Sequence, residues 1–379
     1  MISIVIPVYN SIDTLEDAFF SAVGSGIGEQ EIILVDDGST DASWDCILEL
    51  QGKVDNVVAL RHPQNRGGGA ARNTGINAAR YPLIFVLDSD DLLAPTGALG
   101  RAAAMMEDVQ LDGVATGESS FFETDPAVVL QQVHYAPGLA GFSDLLSGHP
   151  SPVAGNLLFR KSAYDRARGY PEYHTFDTQA FGFRLLANRA RVQVMDEILY
   201  YQRRPARPSY YARENAQGNG GRNWYYVFSE CLYKFSAPVR REILEFDYRD
   251  PASIARGCNL FQVIAGRSSY DLSDEGLRLD DSAAYLAYSN SSDPTLQFWC
   301  ATMDLRRGDI ERCTQRIDEI GEPYGKRAIY PLLAAWSKAG LSKSDLEELR
   351  YFFGSDKGRL WHLKHTLQRV RNRVGRMLR

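Results

Sequence analysis

The residues best suited to chemistry sit directly behind short apolar runs. Glu31 to Val35 leads into Asp36-Asp37-Gly38-Ser39-Thr40-Asp41, and Leu83 to Leu87 leads into Asp88-Ser89-Asp90-Asp91. A third run, Ile2 to Ile6, delivers Pro7-Val8-Tyr9-Asn10. Carboxylates as crowded as Asp88, Asp90 and Asp91 repel and raise one another's pKa unless something positive neutralises them. A divalent cation does this well. Oxygen ligands favour Mg²⁺ or Mn²⁺, and Mg²⁺ in particular combines one or two carboxylates with substrate phosphates and water. Such an ion offsets the charge of a departing diphosphate. The spacing leaves a second use open, in which the three acids cap the following helix or face solvent.

The segment Asn65-Arg66-Gly67-Gly68-Gly69-Ala70-Ala71-Arg72-Asn73-Thr74-Gly75 opens a helix with three glycines. A helix start of this kind suits an anion; it equally suits a tight turn with close small-residue packing. It is neither a P-loop nor a dinucleotide fingerprint, because the latter needs GxGxxG after the first strand, where this chain has Pro-Val-Tyr-Asn.

These groups need a scaffold that gathers strand ends. Over the first hundred residues, apolar β-branched runs alternate with helical periodicity, the pattern of βαβ units on a mostly parallel sheet. In such sheets ligands lie beyond the carboxyl ends of the strands. Strands are predicted at Ile2 to Ile6, Glu31 to Val35, Val57 to Leu60 and Leu83 to Leu87. Asn10 or Ser11 is predicted to cap a helix that buries Ile12, Leu15, Phe19, Ala22 and Val23. From about 110 to 205 the pattern is mixed, with strands at Gly113 to Thr116, Leu157 to Arg160 and Val192 to Tyr200 and a helix near Asp177 to Asn188. Residues 1–205 read as one α/β domain, and 206–221, rich in Pro, Arg, Gly and Asn, as a linker. Residues 222–356 read as a helical domain without a steady repeat period, with helices such as Trp224 to Phe235, Leu296 to Arg307, Ile310 to Ile320 and Lys343 to Phe353.

Composition narrows the class. With 44% hydrophobic and 24% charged residues the chain is globular, and its formal charge of −6 argues against general nucleic-acid binding. The five cysteines, Cys46, Cys231, Cys258, Cys300 and Cys313, form neither a disulfide framework nor a zinc pattern. No apolar run approaches the roughly 20 residues of a membrane span, and no export signal is evident, so the expected location is cytoplasmic. Residues 357–379 differ from the rest, carrying eight Lys/Arg and no acid. Their apolar stripe of Leu360, Leu363, Leu367, Val370, Val374 and Met377 suits an anionic membrane surface or a helix partner.

Ile4-Val5-Ile6-Pro7-Val8-Tyr9-Asn10, Val35 through Asp41, Asn65 through Gly75 and Leu87-Asp88-Ser89-Asp90-Asp91 together resemble, in order, the motifs of the family 2 glycosyltransferases of GT-A fold. The resemblance is strong over residues 1–100, weaker to about 205 and absent beyond. It implies that Pro7, Val8 and Tyr9 line a base pocket, that Asp36 or Asp37 accepts hydrogen bonds from base or ribose, and that Arg72 lies near the nucleotide. It places Asn65, Gly67 and Ser89 in the same binding segments. Asp88 would face ribose or donor sugar, while Asp90, with or without Asp91, would bind Mn²⁺ or Mg²⁺.

The family's fifth motif is altered. Inverting members carry a Glu-Asp pair at a helix start, a few residues before Arg-Leu, and the Asp acts as general base. Here Gly169-Tyr170-Pro171-Glu172 and Arg184-Leu185 resemble their counterparts, but counting back from Arg184 places Asp177 and Thr178 at the pair. Thr178 cannot act as a base. A one-residue shift at the helix start would let Asp177 supply the carboxylate; otherwise it caps its helix, and Glu172 and His174 are the reserves. Tyr200-Tyr201-Gln202-Arg203-Arg204 resembles the family's closing segment, which implies a diphosphate contact from Arg203 or Arg204; arginines beside prolines also suit a linker. The expectation is an inverting, metal-dependent transfer from a nucleotide sugar, UDP-linked by resemblance, to a glycan or lipid-linked acceptor. Its rival is a non-catalytic nucleotide-sugar-binding or scaffold module.

Overall fold

The computed structural model describes residues 1–95, 97–146, 150–172, 176–204, 213–214, 216–217, 219–246, 260–265, 271–307, 309–321 and 324. The expected basic helix at 357–379, the helix at 343–353, Cys258 and His174 lie outside these residues. Two compact units divide at Glu214 and Asn215, within the segment read as a linker.

Unit one begins as a doubly wound sheet. β1 (Ile2–Val8), β2 (Gln30–Asp36), β3 (Val57–Arg61) and β4 (Leu83–Val86) are parallel, in the order β3-β2-β1-β4. β1 and β2 are almost wholly buried, as expected of Val/Ile-rich strands covered on both faces. α1 (Leu15–Val23), α2 (Ser43–Lys53) and α3 (Gly68–Ala78) are the crossovers. α3 lies close against the sheet because Gly75 has no side chain: a Cβ there would stand 2.4 Å from Val5 Cγ1.

Beyond β4 the sheet becomes mixed. β5 (Leu92–Leu93), β6 (Gly113–Ala115), β7 (Glu118–Phe122), β8 (Gln131–His134), β9 (Gly138–Leu139), β10 (Leu158–Arg160), β11 (Val192–Val194) and β12 (Tyr200–Arg203) are shared between two sheets. β10 enters antiparallel between β4 and β6, followed by β11 and β9, to complete eight strands. β5, β12, β7 and β8 form a separate four-stranded sheet. After α4 (Ala98–Met105) and α5 (Phe142–Leu146), α7 (Asp177–Ala187) packs on α6 (Lys161–Ala167) and reaches α3.

Two local expectations differ. α1 is entered at Thr14, not at Asn10 or Ser11. Asn10 sits at φ 51° and its Oδ1 accepts from Thr40 N at 2.8 Å, so this side chain joins two loops instead of capping a helix. The strand expected over Val192 to Tyr200 is two strands in different sheets, because the chain turns through 195–199, where Gly117 N donates to Glu197 O. Gly117 permits this approach: a Cβ there would lie 2.2 Å from Met195 O.

In unit two the described elements are helical, including Gly220–Glu230, Ala237–Glu245, Asp281–Tyr288, Pro294–Arg306 and Ile310–Ile320. Its core is aromatic, with Trp299 fully buried 4.4 Å from the Tyr233 ring. Trp299 Nε1 donates to the Glu230 carbonyl, which removes the cost of burying the indole N–H. No described helix is long and apolar enough to cross a membrane.

Candidate active site

The carboxyl ends of β1, β2 and β4 meet at one rim, as their parallel pairing requires. Val8 differs from expectation: it shares the inward face of β1 with Ile4 and Ile6 and is 1% exposed in the core, a result of strand alternation. Pro7 is half-buried and Tyr9 is 47% exposed at the rim.

Asp36 and Asp37 are both buried and hold the surrounding loops. Asp36 pairs with Arg61 Nε at 3.0 Å and accepts from Ser39 N at 3.2 Å. Asp37 lies 2.6 Å from His62 Nδ1 and accepts from Arg66 N at 2.9 Å and Gly67 N at 2.7 Å. Asp37 thus fixes the start of the glycine segment, where Gly67 adopts φ 96°. Asn65, two residues earlier, is exposed.

Arg72 is the centre of the rim. Its buried guanidinium donates from Nη1 to Asp177 Oδ2 at 2.6 Å and from Nη2 to Asp88 Oδ1 at 2.5 Å, so one planar fork joins two acids distant in sequence. Burial works against its charge, but Asp88 and Asp177 outweigh this and raise its pKa. The neighbouring glycines explain how Asp177 gets so close. A Cβ on Gly68 would lie 3.0 Å from Asp177 Oδ2, and one on Gly69 would lie 2.1 Å from the Pro171 carbonyl. Asn73 completes the joint: its Nδ2 donates to Tyr170 O and Glu172 Oε1, and its Oδ1 accepts from Tyr170 N and the Tyr164 hydroxyl. The glycine segment therefore seats the 169–177 stretch against α3. Burial raises the Asp177 pKa, Arg72 opposes the rise, and Asp88 adds to it. Thr178 is half-buried beside it and bonds to Gln179 Oε1.

The acidic loop sorts its residues. Ser89 is buried and lies 2.8 Å from Ser11 Oγ, while its carbonyl accepts from Thr14 Oγ1. Burial, then the charge of Asp88, pushes the Asp90 carboxyl up to about 6. Asp91 accepts from Asn156 Nδ2 at 2.8 Å and from Arg203 N at 3.0 Å, and its pKa is also raised, chiefly by burial. Arg203 donates from Nε to the Asp90 carbonyl and from Nη2 to Asp17 Oδ2, with its guanidinium 4.8 Å from the Phe122 ring centre. In this arrangement it clamps the acidic loop to β12. Arg204 stacks 4.2 Å over Phe121 and donates to Gln131.

The donor set fits a hard cation in kind, since Asp90 and Asp88 offer carboxylate oxygens and the Asp90 carboxyl resists ionisation without a counter-charge. Among the described residues no group of three or more His, Cys, Asp or Glu converges as a protein-only cage. A site of one or two carboxylates completed by phosphates is the arrangement these residues allow. Asn156, His62 and Asn73 were not expected at the site. Asn156 and His62 are lone polar side chains whose partners are distant in sequence, so no local signal marks them; Asn73 stands inside the glycine segment, but its partners in 164–172 are distant.

Residues 3–168 match the family model described as Glycosyl transferase family 2. The uncharacterized glycosyltransferase EpsJ of Bacillus subtilis is 31% identical over 218 residues, 54% of this chain and 61% of that protein. A poly(ribitol-phosphate) beta-glucosyltransferase of Bacillus spizizenii is 38% identical over 141 residues, 34% of this chain and 22% of that protein. The chain thus spans less than two thirds of the length of these curated relatives. In structure, S. aureus TarS 1-349 in complex with UDP-GlcNAc is similar at a TM-score of 0.50 and 17% identity, covering 93% of this chain and 87% of that one. That likeness concerns the fold, which is GT-A-like. Over residues 3–168 the N-terminal unit is thus similar to glycosyl transferase family 2.

Proposed function

We propose that unit one moves a sugar from a nucleoside diphosphate sugar, with UDP as carrier, to a hydroxyl of a glycan or lipid-linked acceptor, inverting the anomeric carbon. The observation that carries this reading is the joining of Asp177 and Asp88 on Arg72 at the rim of a parallel sheet. Asp177 takes the acceptor hydroxyl proton as the oxygen attacks the anomeric carbon and the bond to the diphosphate breaks. Burial raises its affinity for a proton, and the Arg72 guanidinium, 2.6 Å away, opposes that rise and aims the carboxylate. Asp90, with Asp88 beside it, would hold Mn²⁺ or Mg²⁺, which when bound offsets the charge of the leaving diphosphate. Pro7 and Tyr9 would flank the base.

The similarity to a poly(ribitol-phosphate) glucosyltransferase and to a UDP-GlcNAc-bound structure supports a UDP donor and a polymeric acceptor. An enzyme extending such acceptors would work in the cytoplasm, held peripherally on the inner membrane face through residues 357–379. One observation favours a second reading. Thr178 stands where the family has its base and Asp177 is already ion-paired, which suits a unit that binds a nucleotide sugar without transferring it.

A panel of nucleotide sugars tested with and without Mn²⁺, by thermal stabilisation and nucleotide release, separates these readings. Metal-dependent binding of a UDP-sugar with release supports transfer. Binding without release supports the second reading, and binding of no donor refutes both.

A further inference from the structure

Three aspartates crowd one loop, and each has a different partner. Asp88 pairs with Arg72. Asp91 has each carboxylate oxygen engaged, Oδ2 by the Asn156 amide and Oδ1 by the Arg203 backbone N–H. On Asp90 no side-chain donor to the carboxylate is found among the described residues; its carboxylate has a backbone N–H, its own, and its carbonyl is held by Arg203 Nε.

We propose that Asn156 is a positioning residue: it fixes Asp91 as a strut between the acidic loop and β12, so that Asp90 is the carboxylate left to face the cation and the donor. This rests on the metal-dependent reading above. Asn156 is 1% exposed and lies in a segment wedged tightly on two sides. A Cβ on Gly155 would stand 2.6 Å from the Tyr200 hydroxyl, and one on Gly182 of α7 would stand 2.2 Å from the Val153 carbonyl. The amide is thereby fixed in place. As a neutral donor it satisfies one oxygen of Asp91 without adding a positive charge that would compete with a cation. Its own Oδ1 is buried without a hydrogen-bond partner, so the amide can turn over and present an acceptor if Asp91 becomes a donor.

That spare acceptor supplies the test. Asp91→Asn keeps both bonds of the strut once the Asn156 amide turns over. Asn156→Leu keeps the volume and removes the donor. Mn²⁺ affinity in the presence of UDP is read on the full chain from the electron paramagnetic resonance signal of free Mn²⁺, and the strut from hydrogen exchange at the Arg203 amide. Asp91→Asn is expected to stay within about fivefold of the parent in Mn²⁺ affinity. Asn156→Leu is expected to lose about tenfold or more, the usual effect of removing a group that orients a metal ligand, and to deprotect Arg203. Asp90→Asn is expected to lose Mn²⁺ with Arg203 still protected. Asp91→Asn as damaging as Asp90→Asn overturns the proposal, because Asp91 is then a ligand. If Asn156→Leu does not fold, Asn156→Ser replaces it, and unchanged Mn²⁺ affinity in the folded variant also overturns it. Should the parent protein bind no Mn²⁺ with UDP while Arg203 protection follows the expected pattern, the metal reading fails and the strut stands.

Discussion

Replacing Arg72 by Met tests whether the fork at the rim is structural as well as functional. The substitution keeps much of the buried stem but removes the charge that Asp88 and Asp177 share. Breaking a buried ion pair from one side costs about 3–5 kcal/mol, because the partner is left charged and dry. Asp88 is 33% exposed and regains water, so most of the penalty falls on Asp177, at 14%. A loss of about 3 kcal/mol at pH 7.5 follows, or a fall of roughly 6–12 °C in the melting temperature of a unit this size. The sign with pH is fixed as well. Without Arg72 the folded Asp177 pKa rises further above its unfolded value, so the folded state holds the extra proton. The loss is therefore greatest above the raised folded pKa and shrinks as pH falls toward the unfolded value. Scanning calorimetry at pH 7.5 and 5, with Arg72→Met/Asp177→Asn as the second variant, reads all of this. The double variant should recover at least half the loss at pH 7.5. A loss under about 1 kcal/mol, well below the range for a broken buried pair, or one that the second substitution leaves untouched, refutes the reasoning.

Other expectations are as direct. Asp90→Asn should stabilise the metal-free protein at pH 7.5, because a carboxyl raised from 3.8 to about 6 disfavours folding by up to about 3 kcal/mol once ionised. The parent protein without metal should accordingly gain stability as pH falls through 6 toward 4, and thermal denaturation of both proteins across that range checks the pair. Gly69→Ala should cost about 1–3 kcal/mol by overpacking, since its Cβ would meet the Pro171 carbonyl at 2.1 Å. Hydrogen exchange should then show loosening of residues 169–172 and the start of α7 before β1 and β2 are affected.

The first four strands were legible because each is a continuous apolar run ending in polar residues, a pattern with few other meanings. The helix expected near Asp177 to Asn188 is α7, and Asp177 does stand at its first turn. The second sheet was not legible. Glu118–Phe122 and Gln131–His134 are short and lack clear alternation, and the turn at Gly117 that leads into the first of them needs glycine for a reason that shows only in three dimensions. Asp36 and Asp37 show the limit for site residues. Their position after β2 was readable, but their bonds to Arg61, His62 and two backbone amides depend on where β3 and α3 return. The glycine segment is similar: its composition suited an anion or close packing, and the approach of Pro171 and Asp177 supplies the packing.

Whether Asp177 is the base of a sugar transfer is decided by Mn²⁺-dependent release of UDP from the donor that binds best, compared between the parent protein and Asp177→Asn. The donor dissociation constant should stay within about threefold while release falls by about 100-fold or more, the usual range for losing a general base. Release by Asp177→Asn at the parental rate, with donor binding retained, would contradict the assignment.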